Sequence, residues 1–327
     1  MDSGLAAEFI IGRRSRADPL AAPRNDGEDS MTIRDTAVIG LGNMGRGIAR
    51  NLDRAGRLAA AWDIAEATRT RAELSVAVKL APPDQIAGLK FILFVVPGSA
   101  EIDAMLGTLL KQPHDKQILI DLTTSHPAKT KALAEKVSAS GRAYVDCGMS
   151  GGAIGADSGK MALMVGGTSE AVAACKPIFD VTAGTVTHVG ASGTGHAIKL
   201  LHNMVCHTNF LVVAEAGKLA ERAGIPLETA IKVFNAGNAR SYISEARFPN
   251  HILSGKFDGR STVSNLAKDL AMADSFADEV GQANAYTALT ADLLAKAIER
   301  GLGAQDFTRL YEVYEQLVSS TGNSPAP

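Results

Sequence analysis

The stretch Ala37-Val38-Ile39-Gly40-Leu41-Gly42-Asn43-Met44-Gly45 decides the fold. Three apolar residues run into a Gly-x-Gly-x-x-Gly, and a helical stretch from Gly45 to Ala55 follows. Strand, glycine turn and helix in that order make the phosphate-binding opening of a dinucleotide fold. The first glycine permits the tight turn. The second lets a pyrophosphate approach the backbone, and the third lets helix and strand pack closely. The phosphate then rests on the helix N-terminus, where backbone N–H groups lack intrahelical partners. A second apolar run, Leu58 to Trp62, ends at Asp63, roughly 20 residues on, where an acid bonds a ribose 2′-hydroxyl and repels a 2′-phosphate. Asp63 therefore favours NAD, while Arg69 and Arg71 leave NADP open. The competing reading is a purely structural turn, with Asp63 capping the next helix.

Outward from this unit the alternation continues. Phe91 to Val96 is apolar throughout, as a parallel strand covered on both faces is. Gln117 to Asp121 and Arg142 to Asp146 extend the series, with a helix between them at Pro127 to Ser140. Met161 to Val165 and Thr185 to Val189 are candidate further strands. The pattern predicts an α/β Rossmann-type, doubly wound parallel sheet. Beyond Gly195 the strand signal stops. His196 to Ala223 has no proline, one glycine and apolar residues at near-helical spacing, so it reads as one long helix stopped at Gly224. Further helices are expected at Pro226 to Asn235, Tyr242 to Leu253, Leu266 to Val280, Ala285 to Arg300 and Phe307 to Ser319. The expected organisation is an NAD-binding domain over 31–195, an all-α C-terminal substrate and oligomerisation domain over 196–320, and a tail at 321–327. Residues 1–30 carry four arginines, six acids and no periodic pattern, which suits a disordered tail before Met31 better than a secretory or transit signal.

Composition bounds the function classes. A chain of 327 residues suggests two domains, and 46% hydrophobic with 21% charged residues is ordinary globular composition. A net charge of −2 provides no field for nucleic acid or an anionic membrane. No apolar run approaches the ~20 residues of a membrane span. Three cysteines without a Cys-x-x-Cys suit a reduced cytosol, and a cytoplasmic protein is expected.

Two further glycine clusters carry chemistry. Gly193-Thr194-Gly195 leads into the long helix, which sets Lys199 and Asn203 at i and i+4 on one face. A lysine on an apolar face has its pKa lowered and can serve as general acid or base; the bland alternative is a snorkelling lysine beside a solvent-facing asparagine. Ser150-Gly151-Gly152 and the residues to Gly159 follow a strand end, at the sheet edge where ligands bind, and bare amides with Ser150 suit a substrate carboxylate. A flexible loop is the alternative there. His202, Cys206 and His207 lie close together, but a helical pair plus one cysteine is an incomplete metal set, and no metal is expected.

On these residues the chain resembles the β-hydroxyacid dehydrogenase family, which includes 3-hydroxyisobutyrate dehydrogenase and tartronate semialdehyde reductase. The family's cofactor loop matches Gly40-Leu41-Gly42-Asn43-Met44-Gly45, and its Asp-x-Ser-Thr-x-x-Pro segment resembles Asp121 to Pro127. Its substrate loop resembles Asp146 to Gly159, its catalytic helix matches Gly193 to Asn203, and its Lys-Asp-Leu matches Lys268-Asp269-Leu270. The resemblance implies an NAD(P)-dependent enzyme that interconverts a small 3-hydroxy acid and its semialdehyde or keto form. Lys199 is implied as the acid/base catalyst. Thr123, Ser150, Gly151, Gly152 and Asn203 are implied for substrate. The glycine loop, Asp63, Val96, Pro97, Thr124 and Lys268 are implied for the cofactor. A homodimer or homotetramer and a 6-phosphogluconate dehydrogenase-like C-terminal domain are also implied.

Three departures stand out. Gly148-Met149 replaces Pro-Val, Thr123 replaces a serine, and polar Ser261 and Asn265 stand where members often have Phe and Leu. A wetter pocket suits a more polar acid, of the tartronate semialdehyde, threonate or sulfolactaldehyde type. A non-catalytic dinucleotide-binding module is the alternative from another class, and retention of Lys199 and Asn203 argues against it.

Overall fold

The computed structural model describes residues 33–112 and 114–319, so the tails expected at 1–30 and 321–327 lie outside the described residues. Eight strands form one sheet in the order β3-β2-β1-β4-β5-β6-β7-β8. They are β1 (Thr36–Ile39), β2 (Leu58–Trp62), β3 (Lys79–Leu80), β4 (Phe91–Phe94), β5 (Ile118–Asp121), β6 (Ala143–Ser150), β7 (Met161–Gly166) and β8 (Ala183–Gly190). Between them run α1 (Gly45–Arg54), α2 (Glu66–Arg71), α3 (Pro83–Ile86), α4 (Ser99–Leu109), α5 (Pro127–Ser138), α6 (Gly152–Ser158), α7 (Ser169–Ala174) and α8 (Lys176–Thr182). The pleat sorts the central strands. Val38, Phe91 and Leu93 join the core on one face, while Ala37, Ile39, Ile92 and Phe94 join the core on the other. Burial on both faces is why these strands read as unbroken apolar runs.

The sheet is doubly wound but not wholly parallel: β6 and β7 pair antiparallel, with Asp146 opposite Gly166 and Ser150 opposite Ala162. Only residues 151–160 connect them, fewer than the dozen or more that a parallel crossover takes. Most of that connection, expected as a loop, is the helix α6. The strand expected to reach Val96 ends at Phe94, and Val95 N still donates to Ile39 O at 2.8 Å.

The rest is helical: α9 (Thr194–Arg222), α10 (Leu227–Ala236), a π-helix (Ile243–Leu253), α11 (Val263–Glu279), α12 (Ala285–Glu299), a short 3-10 turn (Phe307–Arg309) and α13 (Leu310–Val318). A third core forms here around Phe210, Phe248, Phe307 and Tyr311, whose rings meet edge-on or tilted with centroids 5.0–5.9 Å apart. The segment Tyr242 to Leu253, expected as an α-helix, is π-helical instead. Pro249 lies inside it, lacks an N–H and so cannot hold an α-helical ladder.

Candidate active site

The glycine loop links β1 to α1. Gly40 has φ +94°, and a Cβ there would meet Val95 O at 2.2 Å. A Cβ on Gly45 would meet Gly40 O at 1.8 Å, so both positions require glycine for protein packing. Gly42 differs: nothing lies within 4 Å of its missing Cβ. That open side faces an α1 N-terminus with no side-chain cap and no acid in its first turn. Bare backbone donors beside open space fit a dinucleotide pyrophosphate. α1 in turn rests on α6: Asn51 Nδ2 donates to Ala156 O at 2.7 Å, and a Cβ on Gly47 would strike Asp157 N at 2.8 Å.

Asp63 follows β2. Its carboxylate accepts from Leu41 N at 2.8 Å and from Ala65 N at 2.9 Å. It thus caps the next turn, as the competing reading has it, and also ties down the glycine loop. Arg69 lies beside it, with its guanidinium 4.5 Å from the Trp62 ring centroid and Nη1 donating to Asp63 O at 2.6 Å.

Val96 and Pro97 follow β4, and Val96 Cγ1 lies 3.3 Å from the position of a Cβ on Gly40. At the end of β5, Thr123 is buried; its N–H donates to Asp121 Oδ1 and its hydroxyl pairs with Ser125 Oγ at 2.9 Å. Thr124 is the half-buried neighbour. Tyr144 OH donates to Asp121 Oδ2 at 2.7 Å.

Asp146 on β6 anchors α9. Its Oδ1 accepts from Gly193 N at 2.7 Å and its Oδ2 from His196 N at 2.9 Å, satisfying two donors at the helix start. Gly195 fits because a Cβ there would lie 2.5 Å from Asp146 O and 2.6 Å from Met164 O. One helical turn on, Lys199 is 9% exposed. A Cβ on Gly148 would lie 2.5 Å from Lys199 Cβ, so the Gly148 departure lets β6 press on the lysine stem. Burial pushes the Lys199 pKa below its ordinary 10.5, and the charge of Asp269 opposes the shift.

Asn203 is buried and its Nδ2 donates to Asp269 Oδ2 at 2.7 Å. Asp269 was missed as a site residue, although Lys268-Asp269-Leu270 was singled out. Its side chain is 13% exposed, burial raises its pKa, and Lys268 and Lys199 pull it back down. Asp269 Oδ1 has no hydrogen-bond partner among the described residues and lies 3.6 Å from Lys268 Nζ. Ser150 Oγ lies 3.4 Å from His202 Nε2, and Gly151 and Gly152 take φ +119° and +59° between β6 and α6. The structure therefore gathers Ser150, Lys199, Asn203 and the Lys268–Asp269 pair around the first turns of α9. The glycine loop, Asp63 and Val96 form a second group across α1 and β4.

Two family models match in succession: the NAD binding domain of 6-phosphogluconate dehydrogenase over residues 35–190, and the NAD-binding domain of NADP-dependent 3-hydroxyisobutyrate dehydrogenase over 193–314. The 2-(hydroxymethyl)glutarate dehydrogenase of Eubacterium barkeri is 28% identical over 85% of this chain and 94% of its own. The mitochondrial 3-hydroxyisobutyrate dehydrogenase of Drosophila melanogaster is 28% identical over 86% of this chain and 90% of its own. Among solved structures, a Mycobacterium tuberculosis 3-hydroxyisobutyrate dehydrogenase with L-serine superposes with TM-score 0.80, at 24% identity over 85% of this chain and 98% of that one, which shows a shared fold.

Proposed function

The chain belongs to the β-hydroxyacid dehydrogenase family and is an NAD(P)-dependent 3-hydroxyacid dehydrogenase; from that premise we propose that Lys199 is its acid/base catalyst. The observation that carries this is a buried lysine with a lowered pKa, making no hydrogen bond or ion pair among the described residues, one turn from an anchored helix start. A bound nicotinamide would supply the acceptor for the hydride of the hydroxyl-bearing carbon. Neutral Lys199 Nζ takes the hydroxyl proton during oxidation, and its ammonium returns that proton during reduction. Asn203, held by Asp269, orients the hydroxyl. Ser150 and the Gly151 and Gly152 amides hold the substrate carboxylate, in a turn whose positive φ values suit glycine. In this reading Thr123 serves the substrate, and Thr124, Val96, Pro97 and Lys268 serve the cofactor. The test is a substrate panel of 3-hydroxy acids and semialdehydes with NAD and NADP. Turnover of none of them overturns the reading.

The cofactor is NAD in preference to NADP, because the Asp63 carboxylate stands at the β2 end where a 2′-phosphate would sit. The substrate is a polar acid rather than a methyl-branched one, because exposed Asn265 and half-buried Ser261 replace apolar residues at the start of α11. The protein acts in the cytoplasm as a homodimer or homotetramer. Among the described residues, no helix is long and apolar enough to cross a membrane.

A further inference from the structure

Four side chains near Lys199 form one hydrogen-bonded chain, and donor–acceptor chemistry fixes its direction. At one end stands Asp269, whose ionised form is favoured by Lys268 Nζ at 3.6 Å. An ionised carboxylate only accepts, so the Asn203 atom 2.7 Å from it is the Nδ2 donor. Asn203 Oδ1 then faces His202 Nδ1 at 3.1 Å. An amide oxygen also only accepts, so Nδ1 carries the ring proton and the neutral ring leaves Nε2 bare. The partner of Nε2 is Ser150 Oγ at 3.4 Å, a long contact of the kind that tightens when a site fills. Toward a bare nitrogen the hydroxyl must point its hydrogen. The chain thus ties β6 to α9 and α9 to α11.

That direction conflicts with the work assigned to Ser150. With its hydrogen turned to His202, Oγ shows only lone pairs to a substrate carboxylate, and the two repel. A second proton on the ring reverses the bond. Nε2–H then donates to Oγ, and the hydroxyl hydrogen is free to turn to the carboxylate. The ring suits such a change. His202 is exposed, so water can deliver the proton. Partial burial and then the Lys199 charge hold its pKa below the ordinary 6.5, against the Asn203 bond, so without substrate the ring is neutral at neutral pH. The titratable groups that act on it or follow it are Lys199 and His207 on α9 and, through Asn203, Asp269 and its neighbour Lys268 on α11. From β6 it meets only the neutral Ser150 hydroxyl among the described residues.

We propose that His202 is a positioning residue that sets which way the Ser150 hydroxyl points, so that a carboxylate substrate binds together with one proton taken from water onto His202 Nε2. The anion and the imidazolium form as a pair, and no net charge is added to the site. A neutral amide of the same shape turns its NH2 to the Oγ lone pairs and binds without the proton. The inference rests on the reading that Ser150 meets the substrate carboxylate. The direction of the hydrogen-bond chain does not depend on that reading.

The test is nitrogen NMR on the full chain with isotope-labelled histidine, NADH present, at neutral pH. The His202 ring, assigned by its loss in His202→Gln, should show the Nδ1–H tautomer. Adding 3-hydroxypropionate, the simplest 3-hydroxy acid and one that cannot react with NADH, should convert the ring to the doubly protonated form. Adding 3-hydroxypropionamide should leave it neutral. Calorimetry reads the same proton as a binding enthalpy for the acid that changes with the ionisation enthalpy of the buffer. His202→Gln keeps a donor facing Ser150 but does not titrate, so it should bind the acid without that dependence. His202→Leu should weaken the acid about tenfold more than the amide. An Nε2–H tautomer overturns the hydrogen-bond chain. A ring that the acid leaves neutral overturns the proton uptake, as does a His202→Leu variant that weakens acid and amide alike. If the acid protonates the ring while no 3-hydroxy acid is oxidised, the inference stands and the acid/base reading of Lys199 falls.

Discussion

Asp269 holds Asn203 by a hydrogen bond and biases Lys199 by its charge. Oxidation needs neutral Lys199, so kcat/KM for the hydroxy acid should rise with pH, with its limb below the usual lysine range because burial lowers the pKa. Asp269 raises that pKa, so Asp269→Asn should move the limb to lower pH. A pH–rate profile that stays put or moves upward contradicts this. Lys199→Ala should lose roughly 10²–10⁴-fold in turnover while NADH still binds, as fluorescence titration would show. Asp63→Ser should raise the NADP-to-NAD ratio of kcat/KM about tenfold, the factor that ~1.4 kcal/mol of lost repulsion gives; steady-state kinetics with both cofactors checks it. Lys199 and Asn203 are legible in sequence because they are four residues apart on one helix. Asp269 lies 66 residues from Asn203, and no local spacing announces that pairing.

At the scale of elements, β6 presses closely on α9. Gly148→Ala places a methyl 2.5 Å from Lys199 Cβ and 2.9 Å from Gly195 O, where backbone must shift. It should cost about 1–3 kcal/mol, read as a lower denaturant midpoint with an unchanged slope. The long strands and α9 were legible because burial on both faces and a proline-free run leave clear periods. The antiparallel turn from β6 to β7 was not, since glycines at 151, 152 and 155 suit a loop and a short helix equally. Nor was the π-helix: its apolar spacing matches an α-helix, and only the hydrogen-bond ladder around Pro249 distinguishes the two.

For the whole molecule, α9 leaves an apolar line uncovered. Ile198, Val205, Val212 and Leu219 recur every seven residues and are 37%, 53%, 55% and 62% exposed. A seven-residue repeat is the seam of paired helices, and it favours the homo-oligomer proposed above. Val205→Glu with Val212→Glu should shift the protein toward monomer, measured by light scattering after gel filtration. A wild-type monomer at micromolar concentration would contradict this.

α9 also joins the helical core while its first turns lie against the sheet. Its first turns are pinned by Asp146 and packed under Met164, while Phe210, Leu211 and Ala214 further along sit in the helical core. Pulling the helical core apart would tear α9 from β6 and strand the Asp146 carboxylate without its two N–H partners. The sheet and the helical region should therefore melt as a single cooperative unit rather than as two foldons. Amide exchange on β6 and on α9 should report the same opening free energy.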